Sequence, residues 1–432
     1  GWDGVEAEEE IPEILRIPRP LQEAYFELAK KEAERILSEL SVVSEPIRRA
    51  FELLVPLLRS RADGAERPEW RDKVFAVVDG SDTPSIDERI GLRLGLVAAC
   101  RKDFRGIGQI PEAEWYVGDA LRGTHHTSRE DFAKTLDLVT TYLERLYAVK
   151  ALEDKRVDYV VIDGSFWGFR AGCSRVKHLE LNWTDPVTQK TFRETHQLID
   201  ELVRMTEKLL QSGRAFGVVK RVATSAIDGY VAHRTGNAEL TTGLTDRSIL
   251  TLAMEVGQVL DMSELLGPEN PPEVLSALSG MIHERRRRGK EVNVNELYKE
   301  SWRRVSNQIV TDLLHRGTDE PEERKARILE TVLSTKRVFL RTVPDQPPVC
   351  IEFPKGVDAE TVELAVTYAF ETANPATGLP LALDLVDELI SLPRGIGREF
   401  VEEVEGILLS RGLDLSRMRA VFSKINPQKE FE

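Results

Sequence analysis

The chain has 432 residues, 41% of them hydrophobic and 31% charged, and a formal net charge of −14 at pH 7. That length can bury a large core and leaves room for more than one domain. The charge excludes a general attraction to nucleic acid, so a polyanion site has to be a local basic patch or has to use metal ions.

Gly1–Ile11 is acidic and reads as loose chain. Pro18–Ser60 reads as one or two helices. Leu21, Ala24, Tyr25, Leu28, Ala29, Ala33, Ile36 and Leu40 recur at helical spacing, and Pro46 opens a second apolar stretch. Ala62–Pro68 is polar and suits a linker. Val74–Val78 is apolar without alternation, the pattern of a strand buried on both faces. Ile90–Cys100 and Glu114–Leu121 fit two further strands, antiparallel neighbours of the first. Ser128 is an N-cap with Asp131 three residues on, and the helix it starts runs to about Leu152. A strand follows at Tyr159–Ile162, a helix at about Phe192–Leu210 and a strand at Ala215–Ala223. Ser248–Lys336, mostly helical by pattern and carrying the basic run Arg285–Lys290, looks like an insertion. Val338–Val343 and Pro348–Pro354 read as strands, Ala359–Glu371 and Leu381–Ile390 as helices, and Lys424–Glu432 as a polar tail.

The order of strands and helices predicts a mixed-sheet α/β fold. Its parts are an N-terminal helical segment (1–68), a first part of the core (69–247), a helical insertion (248–336) and a C-terminal part that completes the core (337–432). Cys100, Cys173 and Cys350 form no zinc pattern and fit a reducing compartment. No apolar run spans a membrane, and the acidic start is unlike a signal peptide, so the expected location is the cytoplasm.

Two of the strands end alike. Asp79 and Asp163 each follow a continuous apolar run and each precede Gly-Ser. One Asp-Gly is an ordinary turn dipeptide. A pair of them, with a helix between, points to carboxylates delivered to one place. Clustered carboxylates hold hard divalent cations, and two such ions support phosphoryl transfer. A third acid is expected from the intervening helix, with Glu130, Asp137, Glu144 and Glu153 as candidates. Glu144 borders the apolar stripe and can face inward, although a solvated glutamate fits the pattern as well. Lys220 or Arg221, late in a strand, could hold a phosphate or end a solvated strand. The seven histidines show no metal-binding spacing, and His125-His126 lies in a Gly-Thr-rich turn.

The stretches VFAVVDGSDTP, LERLYAVKAL leading to VDYVVIDGSF, GVVKRV, and IEFP followed by GLPLALDLVDELI resemble the NurA nucleases over about Val74–Val222 and Arg341–Ile390. The resemblance implies an RNase H-like mixed sheet flanked by helices. It also implies a metal-dependent DNA nuclease, acting as a 5′–3′ exonuclease and single-strand endonuclease in end resection and repair. The partners it implies are DNA, a HerA-type hexameric ATPase translocase and a second copy of the chain. Carried over residue by residue, Asp79, Glu144 and Asp163 are metal ligands and Lys220 steadies the scissile phosphate. The family's late tyrosine and histidine fall on Leu379 and Asp387. Asp387 then completes an all-carboxylate set for two Mn²⁺ or Mg²⁺ ions, with Asp384 one turn earlier as a substitute. The same departure also suits a catalytically inactive RNase H-like scaffold of a translocase complex.

Overall fold

The continuous apolar runs make the middle of a nine-stranded sheet. The structure, a computed structural model, describes residues 12–61, 67–83, 93–123, 127–393, 395–414 and 416–417. The chain begins with α1 (Arg19–Leu54) and β1 (Arg59–Ser60). Then come β2 (Val74–Asp82), β3 (Arg93–Arg105), β4 (Ala113–Gly123), α2 (Arg129–Glu153) and β5 (Tyr159–Asp163). A short α3 (Cys173–Val176), the hairpin β6 (Glu180–Thr184) and β7 (Thr191–Glu194), α4 (Thr195–Gln211) and β8 (Ala215–Val219) follow. The next stretch holds α5 (Ala226–Thr235), α6 (Asp246–Ala253), β9 (Gln258–Asp261), α7 (Met262–Leu266), α8 (Pro272–Arg287), α9 (Val294–Leu313) and α10 (Glu322–Val332). The described part closes with β10 (Thr335–Leu340), β11 (Val349–Pro354), α11 (Ala359–Glu371), α12 (Leu381–Ile390) and α13 (Ile396–Ser410).

The sheet order is β1-β9-β10-β11-β8-β5-β2-β3-β4. β2, β5 and β8 are parallel, and the remaining pairings in this sheet are antiparallel. This is the mixed sheet flanked by helices that the strand and helix order predicts. Alternation along β2 feeds two cores. Val74, Ala76 and Val78 pack with Leu136, Leu143 and Leu198 from α2 and α4. Phe75 and Val77 pack with Tyr368 and Val386 from α11 and α12. Ser128 caps α2 as expected, its Oγ accepting from the Asp131 N–H at 3.1 Å.

Several boundaries differ from the sequence reading. The N-terminal helix is one piece, with Pro46 inside it. Among the described residues its apolar stripe is exposed at Leu21, Tyr25 (50%), Leu28 (55%) and Ile36, while Ala50 and Leu54 near its end join a core with Val222 and Ile249. β2 does not turn at Asp79. It runs on to Asp82 because Gly80, Ser81 and Asp82 still pair with Ala99, Ala98 and Val97. Thr191–Glu194, expected at the start of a helix, is a strand paired with β6, and Glu194 opens α4 through a capping box with Gln197. β8 stops at Val219, leaving Lys220 just beyond the ladder. The helical stretch 248–336 contributes β9 to the main sheet, paired to β1 and β10. α13 carries no expectation from the sequence, and the expected tail 424–432, the loose start 1–11 and His125-His126 lie outside the described residues. No described helix is long and apolar enough to cross a membrane.

Two glycines offer a test of this packing. A Cβ on Gly217 would lie 2.3 Å from the Gly164 carbonyl oxygen, whereas one on Gly280, inside α8, would meet nothing within 4 Å. Gly217→Ala is expected to destabilise by about 2–3 kcal/mol through overpacking against backbone. Gly280→Ala is expected to stabilise by up to about 1 kcal/mol through helix propensity. Urea unfolding of the two variants beside the parent checks both signs.

Candidate metal centre

The alternation that sends Phe75 and Val77 toward α11 and α12 sends Asp79 the same way, and β5 does likewise with Val161 and Asp163. α12 brings Asp387 over that end of the sheet. One carboxylate oxygen from each of Asp79, Asp163 and Asp387 lies within 4.8 Å of the other two. Lys220 reaches in from the end of β8, its Nζ 2.9 Å from Asp163 Oδ2 and 3.6 Å from Asp387 Oδ1. Asp79 is buried, while the Asp387 side chain is 51% exposed.

Glu144 arrives from the opposite face, where α2 crosses β2. A Cβ on Gly80 would sit 2.7 Å from Glu144 Oε1 and 2.9 Å from the Ala98 carbonyl oxygen. The first Asp-Gly is therefore a close-approach glycine inside a strand. The second is conformational: Gly164 has φ +104 and its N–H donates to the Val218 carbonyl at 2.8 Å. The other acids of α2 are engaged away from Asp79. Glu130 pairs with Arg175 at 2.7 Å, Glu153 with Lys208 at 3.4 Å and Asp137 with Lys134 at 3.7 Å. Asp384 is committed to the turn before α12, its Oδ2 accepting from Asn374 Nδ2 at 3.0 Å and from Thr377 Oγ1. Leu379 packs half-buried in the apolar cluster beneath α12.

Two residues that hold the site were not singled out from the sequence. Arg145, next to Glu144 and buried, donates through Nη2 to the carbonyls of Phe166 at 2.9 Å and Ser165 at 3.3 Å. Glu352 on β11 accepts the Phe166 N–H at 2.9 Å through Oε1 and the Arg337 Nε–H at 3.2 Å through Oε2. Together they clamp the loop that follows Asp163. A charged residue in the middle of the apolar run VCIEFP was the available signal, since such a residue is seldom buried without a partner. The histidines also hold a surprise of placement. His196 stacks on His315 at 3.8 Å and His178 lies 5.6 Å from the same ring, yet none of them joins the carboxylate group.

The carboxylates resist ionising together. Burial, and then the charge of Asp163, push Asp79 up to about 8. Burial and the charge of Asp79 push Glu144 well above its usual value. Asp163 is raised by burial although Lys220 opposes the shift. Burial alone would lower Lys220, but the carboxylates of Asp163, Asp387 and Asp79 raise it. Asp79 Oδ1 accepts the Gly80 N–H at 2.8 Å, while its Oδ2 is buried without a hydrogen-bond partner. A set of oxygen donors with one buried oxygen left over fits a hard divalent cation, whose charge would also relieve the repulsion.

A pH experiment reads this electrostatic state without any added metal. Unfolded Asp79 titrates near 4, and folded Asp79 near 8. Its contribution to folding is fully present below the unfolded value and is lost as the pH rises through the folded one. In EDTA, the parent should lose about 4 kcal/mol more stability than Asp79→Asn between pH 5 and pH 8.5, so a variant less than that behind at pH 5 overtakes it by pH 8.5. Urea midpoints across that range check the crossing.

No family model and no curated protein matches the sequence. Among solved structures, the NurA nuclease from Sulfolobus solfataricus aligns over 92% of this chain and 99% of that one, at 13% identity and a TM-score of 0.50. A NurA structure with manganese aligns over 88% of this chain and 97% of that one, at 12% identity and a TM-score of 0.39. One bound to dAMP and manganese aligns over 84% and 92%, at 11% identity and a TM-score of 0.37. The mixed sheet and the helices on its two faces are those of the Sulfolobus NurA nuclease, and the chain shares that fold.

Proposed function

We propose that the chain is a divalent-metal-dependent DNA nuclease that hydrolyses phosphodiester bonds. The observation that carries this reading is the meeting of Asp79, Asp163 and Asp387 within 4.8 Å, on a fold shared with a nuclease. Asp79, Glu144, Asp163 and Asp387 would hold Mn²⁺ or Mg²⁺, with carboxylate oxygens enough for two ions. When bound, the ions supply Lewis acidity that lowers the pKa of a water nucleophile and takes up charge on the departing oxygen.

The protein's own residues do the positioning. Asp79 lies inside β2, paired with Cys100 of β3 and directly after the ladder with β5, so its carboxylate does not drift with a loop. Arg145 and Glu352 tie down the loop after Asp163 and so keep that carboxylate at the strand end. Lys220 stands at the rim of the cluster, 28% exposed along its side chain, and is placed to donate to a phosphate oxygen. The burial that raises the carboxylate pKa values also strengthens any charge interaction made there. Exonuclease and endonuclease polarity, a role in end resection and repair, a HerA-type translocase partner and a second copy of the chain belong to the same proposal. They rest on the resemblance of the sequence motifs.

End-labelled single- and double-stranded DNA incubated with Mn²⁺, Mg²⁺ or EDTA tests the reading, with Asp163→Ala alongside. Cleavage is expected with metal and is expected to fall to the EDTA level in the variant. Intact DNA under every condition, even with a HerA-type ATPase added, would turn the reading to a non-catalytic scaffold.

A further inference from the structure

Next to the carboxylates lies a cavity of opposite character. It has a volume of about 200 Å³, and Lys220, Arg221, Arg247, Gln346 and Thr377 are among the residues that line it. Among the described residues no acidic side chain lines it. Arg221 is exposed and Arg247 half-buried, and neither has an ion-pair partner among the described residues. Arg247 Nε is buried and makes no hydrogen bond. In a chain with 73 acidic and 59 basic side chains, two adjoining arginines left without an acid are a local excess of positive charge.

The fold holds these cations in place before any ligand arrives. Arg221 follows Lys220 directly at the end of β8, and Arg247 sits in the first turn of α6. Asp246, its buried neighbour, ties that turn to the segment after Arg221. It accepts from Thr224 Oγ1 at 2.6 Å, from the Ala226 N–H at 3.1 Å and from the Ile227 N–H at 2.8 Å. A guanidinium presents a planar fork of donors that matches phosphate oxygens, and an unused buried donor is a place for an acceptor.

The geometry points to this cavity as the seat of a second phosphate of the substrate strand, the one adjoining the phosphate held over the carboxylates. This inference rests on the nuclease reading of the carboxylate site. Lys220 is common to both places, so a strand that lays one phosphate at the carboxylates brings its neighbour to Arg221 and Arg247. The cavity fixes the direction and register of the strand, and the carboxylates act on the phosphate that this register presents.

The test is binding of a 3′-fluorescein single-stranded oligonucleotide, followed by anisotropy in EDTA over a series of salt concentrations. The parent, Arg247→Gln and Arg221→Gln are compared, with unfolding midpoints and Mn²⁺ titrations as controls. Each variant is expected to bind about tenfold more weakly and to lose about 0.7 from the slope of log affinity against log salt, the value for one phosphate contact on a single strand. The controls should match the parent. Arg221 is exposed, so its variant keeps the test open if Arg247→Gln does not fold. Parent-like affinity and slope in the folded variants would overturn the inference. Because the readout needs no cleavage, the two proposals fail separately. A parent that binds through these arginines and cuts nothing sinks the nuclease reading alone. A parent that cuts, with variants that bind and cut like it, sinks the cavity alone.

Discussion

Carboxylates that approach within 4.8 Å repel one another, and the fold has to hold them against that repulsion. Each comes from a different element, so no single loop can swing away and relax the strain. Asp79 is fixed by its pairing with Cys100 on β3, one residue past the ladder of β2 with β5, and Asp163 by the clamp of Arg145 and Glu352 on the loop that follows it. Asp387 rides on a helix anchored by buried Leu383, Val386 and Ile390, and the Leu392 N–H beyond its end donates to Ser81 Oγ at 3.1 Å. Lys220 supplies a positive charge inside the group, but one cation does not balance that many acids.

The layout of charge explains how an acidic chain can address a polyanion. The net charge of −14 is an average over a surface on which many arginines already have acidic partners. Examples are Arg101 with Asp103 and Asp154, and Arg170 with Asp312. Charges closer than a Debye length decide what a ligand feels, and more distant ones are screened. Around Lys220 the near charges alternate sharply, with carboxylates on one side and Arg221 and Arg247 on the other.

What the sequence made legible follows from pattern length. Continuous apolar runs revealed β2 and β5, and one long amphipathic stretch revealed α2 with its cap at Ser128. The edge of that stripe made Glu144 a candidate beside a solvated reading, and the structure places its carboxylate near Gly80, while carboxylate oxygens of Asp79 and Asp163 lie within 4.8 Å of each other. Short or polar elements were not legible. β7 has four residues with only Phe192 buried, and β9 has four residues within a helical stretch. Apolar periodicity in α1 reads as a core-facing helix, yet among the described residues Leu21, Tyr25, Leu28 and Ile36 of that stripe stay exposed, because sequence shows a face but not what covers it. Arg145 and Glu352 were illegible for a related reason. Their importance lies in backbone groups of a loop far away in sequence, 186 residues in the case of Glu352 and Phe166.

Gly80 and Gly217 do more than admit a neighbour. A strand buried on both faces has no inside and outside to tell one register from the next, so hydrophobicity alone would tolerate a slip of β2 or β8 by a residue. Such a slip would bring Asp79 or Ser81 under Glu144, or Phe216 or Val218 under the Gly164 carbonyl, where even a Cβ has no room. The two glycines thus act as keys in a lock whose other parts are smooth. They spell out which residue of each strand must stand at the sheet's working end, and so which side chains face each other there.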